Sequence, residues 1–526
     1  MNSFKQGVKK VKNFISGKRE NATENATLKN EPVNSTGYGN HAASSTKRSV
    51  VGWISSLSDP IDDIERNVET MRERSRDLYM GAPIASGSLK SIVTNVVGYE
   101  LKLNAQIDGD FLGLSQEEAE AIEDKIEREF EYWADSKNCD ANRMCDFGQL
   151  QQLALLSTLA SGDCFAILPY KKRVGSLYEL TVKLIEADRI CNPVINTFYE
   201  ERLINGVEID STGEVIAYHI ADKHPNSSLT GQNDWKRIEK YGKLSGRLNV
   251  IHLLDIERPE QRRGIPILAP VIEGLKQIDR YTDAELMAAV ISGMYSVFIT
   301  TEASQQGEFG GGFGEADDDE EDNSKINIGN GSVTFLREGE KIQESNPGRP
   351  NPNFDAFTTA IFRQIGVALE IPYEVLMKHF TSSYSASRGA LLEAWKMFKK
   401  RRIWLAKNFC QPIYEEFLAE AVLKGRIHAP GFFDDPLIRK AYCSAEWNGP
   451  TQGQLDPKKE VEAAILRIES DLSTRTREAQ ELTGTDFFRN HELRKREEQL
   501  RNEAGFNAPV NINIQSDKSD EGGEKE

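Results

Sequence analysis

From position 388 to 424 the chain reads RGALLEAWKMFKKRRIWLAKNFCQPIYEEFLAEAVLK and keeps apolar residues at helical spacing over 37 positions. That is about 55 Å of helix. A helix of this length outruns one small core, so it must serve several packing environments. Pro412 lies inside it. Proline lacks a backbone donor and clashes one turn back, so a kink is expected near 408–411. Directly before it stands the decapeptide KHFTSSYSAS (378–387), which is rich in hydroxyls and holds neither Gly nor Pro. A shorter helical signal, FDAFTTAIFRQIGVALEI, runs into that decapeptide and is ended by Pro372. Another, opened by Pro266 and Pro270, keeps helical spacing to Met294. It spans about 45 Å.

Upstream the pattern is mixed. SDPIDDIERNVETMRERSRDLYMG reads as a helix capped by Ser58 or Asp59, with Pro60 in its first turn. A second helix is expected from Ala82 to about Val97, then the alternating strand LKLNAQI. SQEEAEAIEDKIEREFEYWAD is a helix with a capping box between Ser115 and Glu118. Another helix (147–159) precedes the strand CFAILPY. From 177 to 255, strand-like runs separated by Gly, Asn and Asp suggest antiparallel hairpins. Residues 59–264 thus read as one α+β domain. Residues 456–504 read as helix with a break at Gly484.

The 526 residues exceed one core and imply several modules. No run of about 18 apolar residues predicts a transmembrane helix, and the start MNSFKQGVKKVKNF lacks a signal-peptide core. Six Cys without C-x-x-C spacing fit a reducing compartment. Residues 1–58 read as a largely disordered tail. Phe4, Val8, Val11 and Ile15 could make a short basic amphipathic helix there. Residues 506–526 read as a solvated tail. The net charge of −17 argues against a general grip on nucleic acid, because duplex affinity rests on Lys and Arg displacing counterions.

Catalytic motifs are missing. There is no P-loop, no H-E-x-x-H and no G-x-S-x-G. GGGFG lacks dinucleotide-binding spacing. His219 and His224 are read as polar hairpin residues. His379 among serines has no third group to complete a nucleophilic triad. The acidic run Glu315, Asp317, Asp318, Asp319, Glu320, Glu321, Asp322 does not match an EF-hand. It is read as a solvated loop, or else as a docking site for a basic partner. No metal, cofactor or catalytic residue is expected.

Six stretches carry a resemblance: RSRDLYMGAPIASGSLKSIVTNVVG (74–98), EADRIC (186–191), DIERPEQRRGIPILAPVI (255–272), IGVALEIPYEVL (365–376), SSYSASRGALLEAWK (382–396) and WNGPTQGQLDPKKEVEAA (447–464). In wording and order they are similar to the lambda-type portal family of tailed phages. The tails and the insert 303–325 do not match it. The resemblance implies a portal-type subunit. Residues 59–264 and 426–456 would be the wing, 265–297 a first stem helix and 298–350 the clip. Residues 351–372 would be a second stem helix, 373–387 the channel loop, 388–425 the kinked helix and 457–505 the crown.

The family further implies a ring of about twelve copies at one capsid vertex in the virion, assembled in the host cytoplasm. Double-stranded DNA would pass non-specifically through it during packaging and ejection. The implied partners are the terminase large subunit, major capsid and scaffold proteins, and a head-completion or adaptor protein, with no stable membrane association. The channel loop would comprise Lys378, His379, Thr381, Ser382, Ser383, Tyr384, Ser385, Ser387 and Arg388. Clip residues for docking would be Glu315, Asp317, Asp318, Asp319, Glu338 and Glu340. Apolar surface on the long helix makes Trp395, Phe398, Trp404 and Phe409 candidates for contacts between subunits. Two other readings stand beside this one: a capsid-associated metal-dependent nuclease or hydrolase, and a membrane-associated scaffold using residues 1–19.

Overall fold

The computed structural model describes residues 57–193, 202–227, 234–294, 298–301, 340–343, 353–380, 383–453, 456–485 and 487–505, with a few positions between 43 and 55. The readings made for the basic tail, the acidic run and residues 506–526 lie outside these. The chain divides into units 1–58 and Asp59–Glu526, and the second is described here.

The first helical segment splits. Asp59 supplies the cap, its carboxylate accepting from Asp62 N at 2.9 Å. A π-type turn, Ile61–Glu65, precedes helix α1 (Val68–Gly81). Helix α2 is Pro83–Val96 and strand β1 is Lys102–Ala105. Helix α3 (Gln116–Ala134) carries the expected capping box of Ser115 and Glu118, and α4 (Phe147–Ser161) has a second one, Asp146 with Gln149. Strands β2 (Asp163–Ile167), β3 (Lys183–Ile185), β4 (Leu203–Ile204), β5 (Val207–Ile209), β6 (Val215–Ala221), β7 (Trp235–Glu239) and β8 (Val250–Leu254) follow. They form two sheets, β3-β2-β8 and the meander β4-β5-β6-β7, with every strand pair antiparallel. The chain is α+β, as the alternation of patterns indicated.

Helix α5 (Ile272–Met294) leads to β9 (Phe298–Thr301), which pairs antiparallel with β10 (Glu340–Gln343). Helix α6 (Phe354–Ala368) follows, then the single turn Tyr373–Leu376 and helix α7 (Tyr384–Leu405). The long helix therefore begins four residues earlier than its spacing suggested. Ser383 caps it, the hydroxyl accepting from Ala386 N at 3.4 Å. Serine at a cap satisfies an orphan N–H, and this ended the loop before Arg388.

Pro412 does not stop the helix. A π turn, Ala406–Cys410, precedes helix α8 (Gln411–Leu423), and Gln411 N donates five residues back to Ala406 O. One extra residue in the turn absorbs the missing donor. Leu405, Ala406, Cys410 and Gln411 all keep helical dihedral angles. The run 384–423 is about 60 Å long.

Helix α9 (Pro436–Tyr442) and strand β11 (Ala445–Asn448) return to the start of the domain, with β11 pairing antiparallel to β1. Helices α10 (Pro457–Glu469), α11 (Arg475–Thr483) and α12 (Phe487–Glu503) end the described chain. Gly484 makes the expected break in the left-handed region. A second, unforeseen break follows α10, where Asp471 is also left-handed.

One large core joins α2, α3, α4, α7 and α8 with the bases of α5 and α6. Phe130 meets the rings of Phe147, Tyr414 and Phe417 edge-on at 5.2–5.7 Å. Two interface candidates belong to this core: Phe398 is 3% and Phe409 0% exposed. The chain's own packing covers both, so neither is available to a neighbouring subunit. Their hydrophobicity could not reveal which surface would cover them. Trp395 and Trp404 are half-buried against the same core.

Candidate functional site

Helices α5 and α6 pack side by side, with Tyr281 near-parallel to Phe354 at 5.6 Å and edge-on to Phe357 at 5.3 Å. Their outer ends are joined through the β9–β10 pair, with Thr301 opposite Glu340. Beyond this contact α5 exposes Leu286, Met287 and Val290 at 67%, 61% and 48%. Among the described residues these side chains are left largely uncovered. A solvated helix normally places charge there.

The base of α5 is held by a buried charged joint that sequence reasoning missed. Asp163, 0% exposed, accepts from Arg263 Nε at 2.6 Å and from Arg72 Nη2 at 3.1 Å. Arg263, 1% exposed, also donates to the carbonyls of Ala187, Ile190 and Asn205. Glu65 accepts from the backbone N–H groups of Arg262 and Arg263 at 2.8 and 3.0 Å. Gln261 caps the same loop, accepting from Glu257 N and Arg258 N and donating to Arg263 O. Burial alone would raise the Asp163 carboxyl, but the Arg263 and Arg72 charges outweigh it and hold the group well below the ordinary carboxylate range. Burial raises Glu65 against those two N–H donors. Burial also lowers His252, whose Nε2 lies 3.5 Å from Asp163.

At the inner end two left-handed residues follow, one closing α6 and one closing the single turn Tyr373–Leu376. Glu370 has φ 58° and lets Ile371 N donate to Gly366 O at 2.8 Å. Lys378 has φ 53° and lets His379 N donate to Glu374 O at 3.0 Å. Both are six-to-one closures that satisfy the last carbonyls of a helical turn. The second presents Lys378, His379 and Phe380 to solvent in front of α7.

The lambda-family phage portal protein model matches residues 46–402. The chain belongs to this family. Over 482 residues it is 22% identical to portal protein B of Escherichia phage lambda, covering 87% of this chain and 90% of that protein. Over 460 residues it is 24% identical to the portal protein of Escherichia phage N15, covering 83% and 85%. Among solved structures it is similar to a chain in the neck of a native gene transfer agent particle computed with C12 symmetry, at 12% identity. The TM-score is 0.41, with 79% of this chain and 92% of that chain covered.

In this portal-family chain the proposed channel-loop residues do not form one loop. Lys378 and His379 lie in the exposed turn, Thr381 and Ser382 fall outside the described residues, and Ser383 is the cap. Tyr384, Ser385, Ser387 and Arg388 belong to the first turns of α7, with Ser385 exposed. Glu340 opens β10, whereas Glu315, Asp317, Asp318, Asp319 and Glu338 are outside the described residues. Trp395 lies edge-on to Phe398 at 6.5 Å and under the Arg402 guanidinium at 5.0 Å.

Among the described residues one group has metal-ligand geometry, Glu186 with Asp188 and His224. Arg76 occupies it, donating to Glu186 at 2.9 Å and pairing with Asp188. A guanidinium between the carboxylates supplies the positive charge a cation would bring. His219 pairs with Glu208 at 2.9 Å across the meander, a polar sheet contact of the kind its sequence position suggested. No described helix is long and apolar enough to cross a membrane.

Proposed function

We propose that this chain is the subunit of a ring at one capsid vertex, twelve-membered by family resemblance, through which double-stranded DNA is packaged and ejected. The carrying observation is the α5–α6 pair, joined at one end through β9–β10 and at the other through an exposed turn to the 384–423 helix, in a chain of the portal family. In this reading 265–297 and 351–372 line the channel as stem helices and 298–350 is the clip. The pairing of β11 with β1 supports 426–456 as part of the wing with 59–264. Residues 457–505 form the crown.

The exposed turn and the start of α7 face the DNA. Hydroxyls such as Ser382 and Ser385 offer weak, interchangeable contacts to phosphates in any register. Dense cationic pairing would hold the duplex instead of letting it slide. Lys378, His379 and Arg388 are the charged exceptions. The clip is the platform for the terminase large subunit and later for a head-completion protein, with Glu340 and the acidic run meeting basic surfaces. Capsid and scaffold proteins meet the rest of the ring. The chain contributes structure and no catalytic step of its own.

Electron microscopy of the purified chain with mass by light scattering tests this. Rings with a central hole are expected. A folded monomer at all concentrations and salts, also in the presence of scaffold and capsid protein, would falsify the ring. Metal-dependent DNA cleavage abolished by Asp188→Asn would favour the nuclease reading instead.

A further inference from the structure

An open groove of about 720 Å³ lies between the end of α6 and the middle of α7. Val367, Ile371 and Met397 form its apolar part, and Arg363, Lys396 and Lys400 bring positive charge to its walls. Val367 is 82% exposed although it belongs to the packed end of α6. Glu370 and Glu393 also line the groove, and Lys396 Nζ donates to Glu393 at 2.6 Å. The groove is thus net basic in a chain of net charge −17. Its apolar floor is suited to covering by another surface.

A surface of opposite character lies on helices that meet α5. Helix α5 contacts both α6 and α1. On α1, Met80 is 78% exposed, and Asp77 and Glu73 stand exposed one and two turns before it. Lys276 of α5 reaches Asp77 at 3.6 Å, and Glu273 is exposed one turn earlier on α5. The α1 surface thus combines an exposed apolar side chain with three acids and one base, net acidic, whereas the groove combines an apolar floor with three bases and two acids, net basic. A cyclic ring needs two different surfaces of this kind on each subunit, since every copy presents one face to the left and another to the right.

We propose that the groove of one copy receives the Glu73–Asp77–Met80 and Glu273 surface of a second copy, with Met80 over Val367 and Met397. This rests on the ring reading and adds the surfaces that close the ring. Rim ion pairs are individually weak, but every interface in a ring repeats them.

The experiment is a charge exchange in the full-length chain. Lys396→Glu with Lys400→Glu should raise the concentration needed for ring formation by about tenfold or more. Combining it with Glu73→Lys and Asp77→Lys should restore most of that loss. Circular dichroism midpoints show that each variant folds. A photo-crosslinking residue at exposed Val367 provides a second readout and should join copies through peptides containing Met80. If the wild type makes rings but the Lys variants assemble normally and Val367 joins no peptide of α1, the groove assignment is wrong while the ring stands. Weakening without restoration by the α1 changes would also overturn the named partner surface. If the wild type forms no ring, both readings fall.

Discussion

Gly162 and Gly264 meet backbone to backbone. A Cβ added to either would lie well under 3.0 Å from the other's carbonyl group, and Gly162 has φ 90°. The contact brings the loop that opens α5 directly onto the turn between α4 and β2. Arg263 and Asp163, the adjacent residues, are thereby placed to form their buried pair.

Gly264→Ala should therefore be among the most damaging small substitutions in the chain. No side chain can retract here, since backbone opposes backbone, and the cost should be about 2–3 kcal/mol or more. Thermal or urea denaturation of the purified chain checks it. An unchanged midpoint would mean the loop can move away without loss.

Arg263→Met should cost about 3–5 kcal/mol, because it leaves buried Asp163 with Arg72 as its one guanidinium partner and removes the donor to the carbonyls of Ala187, Ile190 and Asn205. Combining it with Asp163→Asn should cost less than the sum of the two single changes, since the partner's stranded charge is then removed as well. Additive losses in the double-mutant cycle would show that the two residues act separately.

Stability should fall on acidification in two stages. His252 is lowered by burial against the pull of Asp163, so its unfolded form takes up a proton first, and stability begins to fall below about pH 6.5. Asp163 is held low, so its contribution is intact above about pH 4 and is lost below that value. Denaturation midpoints measured from pH 8 to 3 should show both stages. His252→Asn should flatten the first, and an unaltered profile in that variant would remove His252 from the account.

Ser382→Lys with Ser385→Lys should lower the packaged genome per particle several-fold while rings and capsids still assemble. Ser383 is left out because its hydroxyl caps α7, and Ser383→Ala should cost about 1 kcal/mol for that reason alone. Quantifying encapsidated DNA decides the matter. Normal genome content in the double variant would take the start of α7 out of the channel wall.

Much of this protein was legible from local patterns. Apolar spacing located α5, α6 and the long helix, and capping chemistry located the start of α3, because those signals act within one or two turns. The Ser383 cap was equally local, but it stood inside a polar run that read as loop, and Pro412 indicated a distortion near 408–411 without specifying that it takes the form of a π turn. The family wording placed RRGIP among its stretches without disclosing what it does, and the stretch 74–98 begins just after Arg72. Only the tertiary structure decided that Arg263, Arg72 and Glu65 converge on one joint. Sequence spacing carries no information about partners nearly 100 and 200 residues apart. The fate of the aromatic residues on the long helix was settled in the same way. Trp395, Phe398, Trp404 and Phe409 are alike in apolar surface. Whether that surface meets the chain's own core or stays partly open depends on which elements fold against each side of the helix, and long-range packing alone determines that.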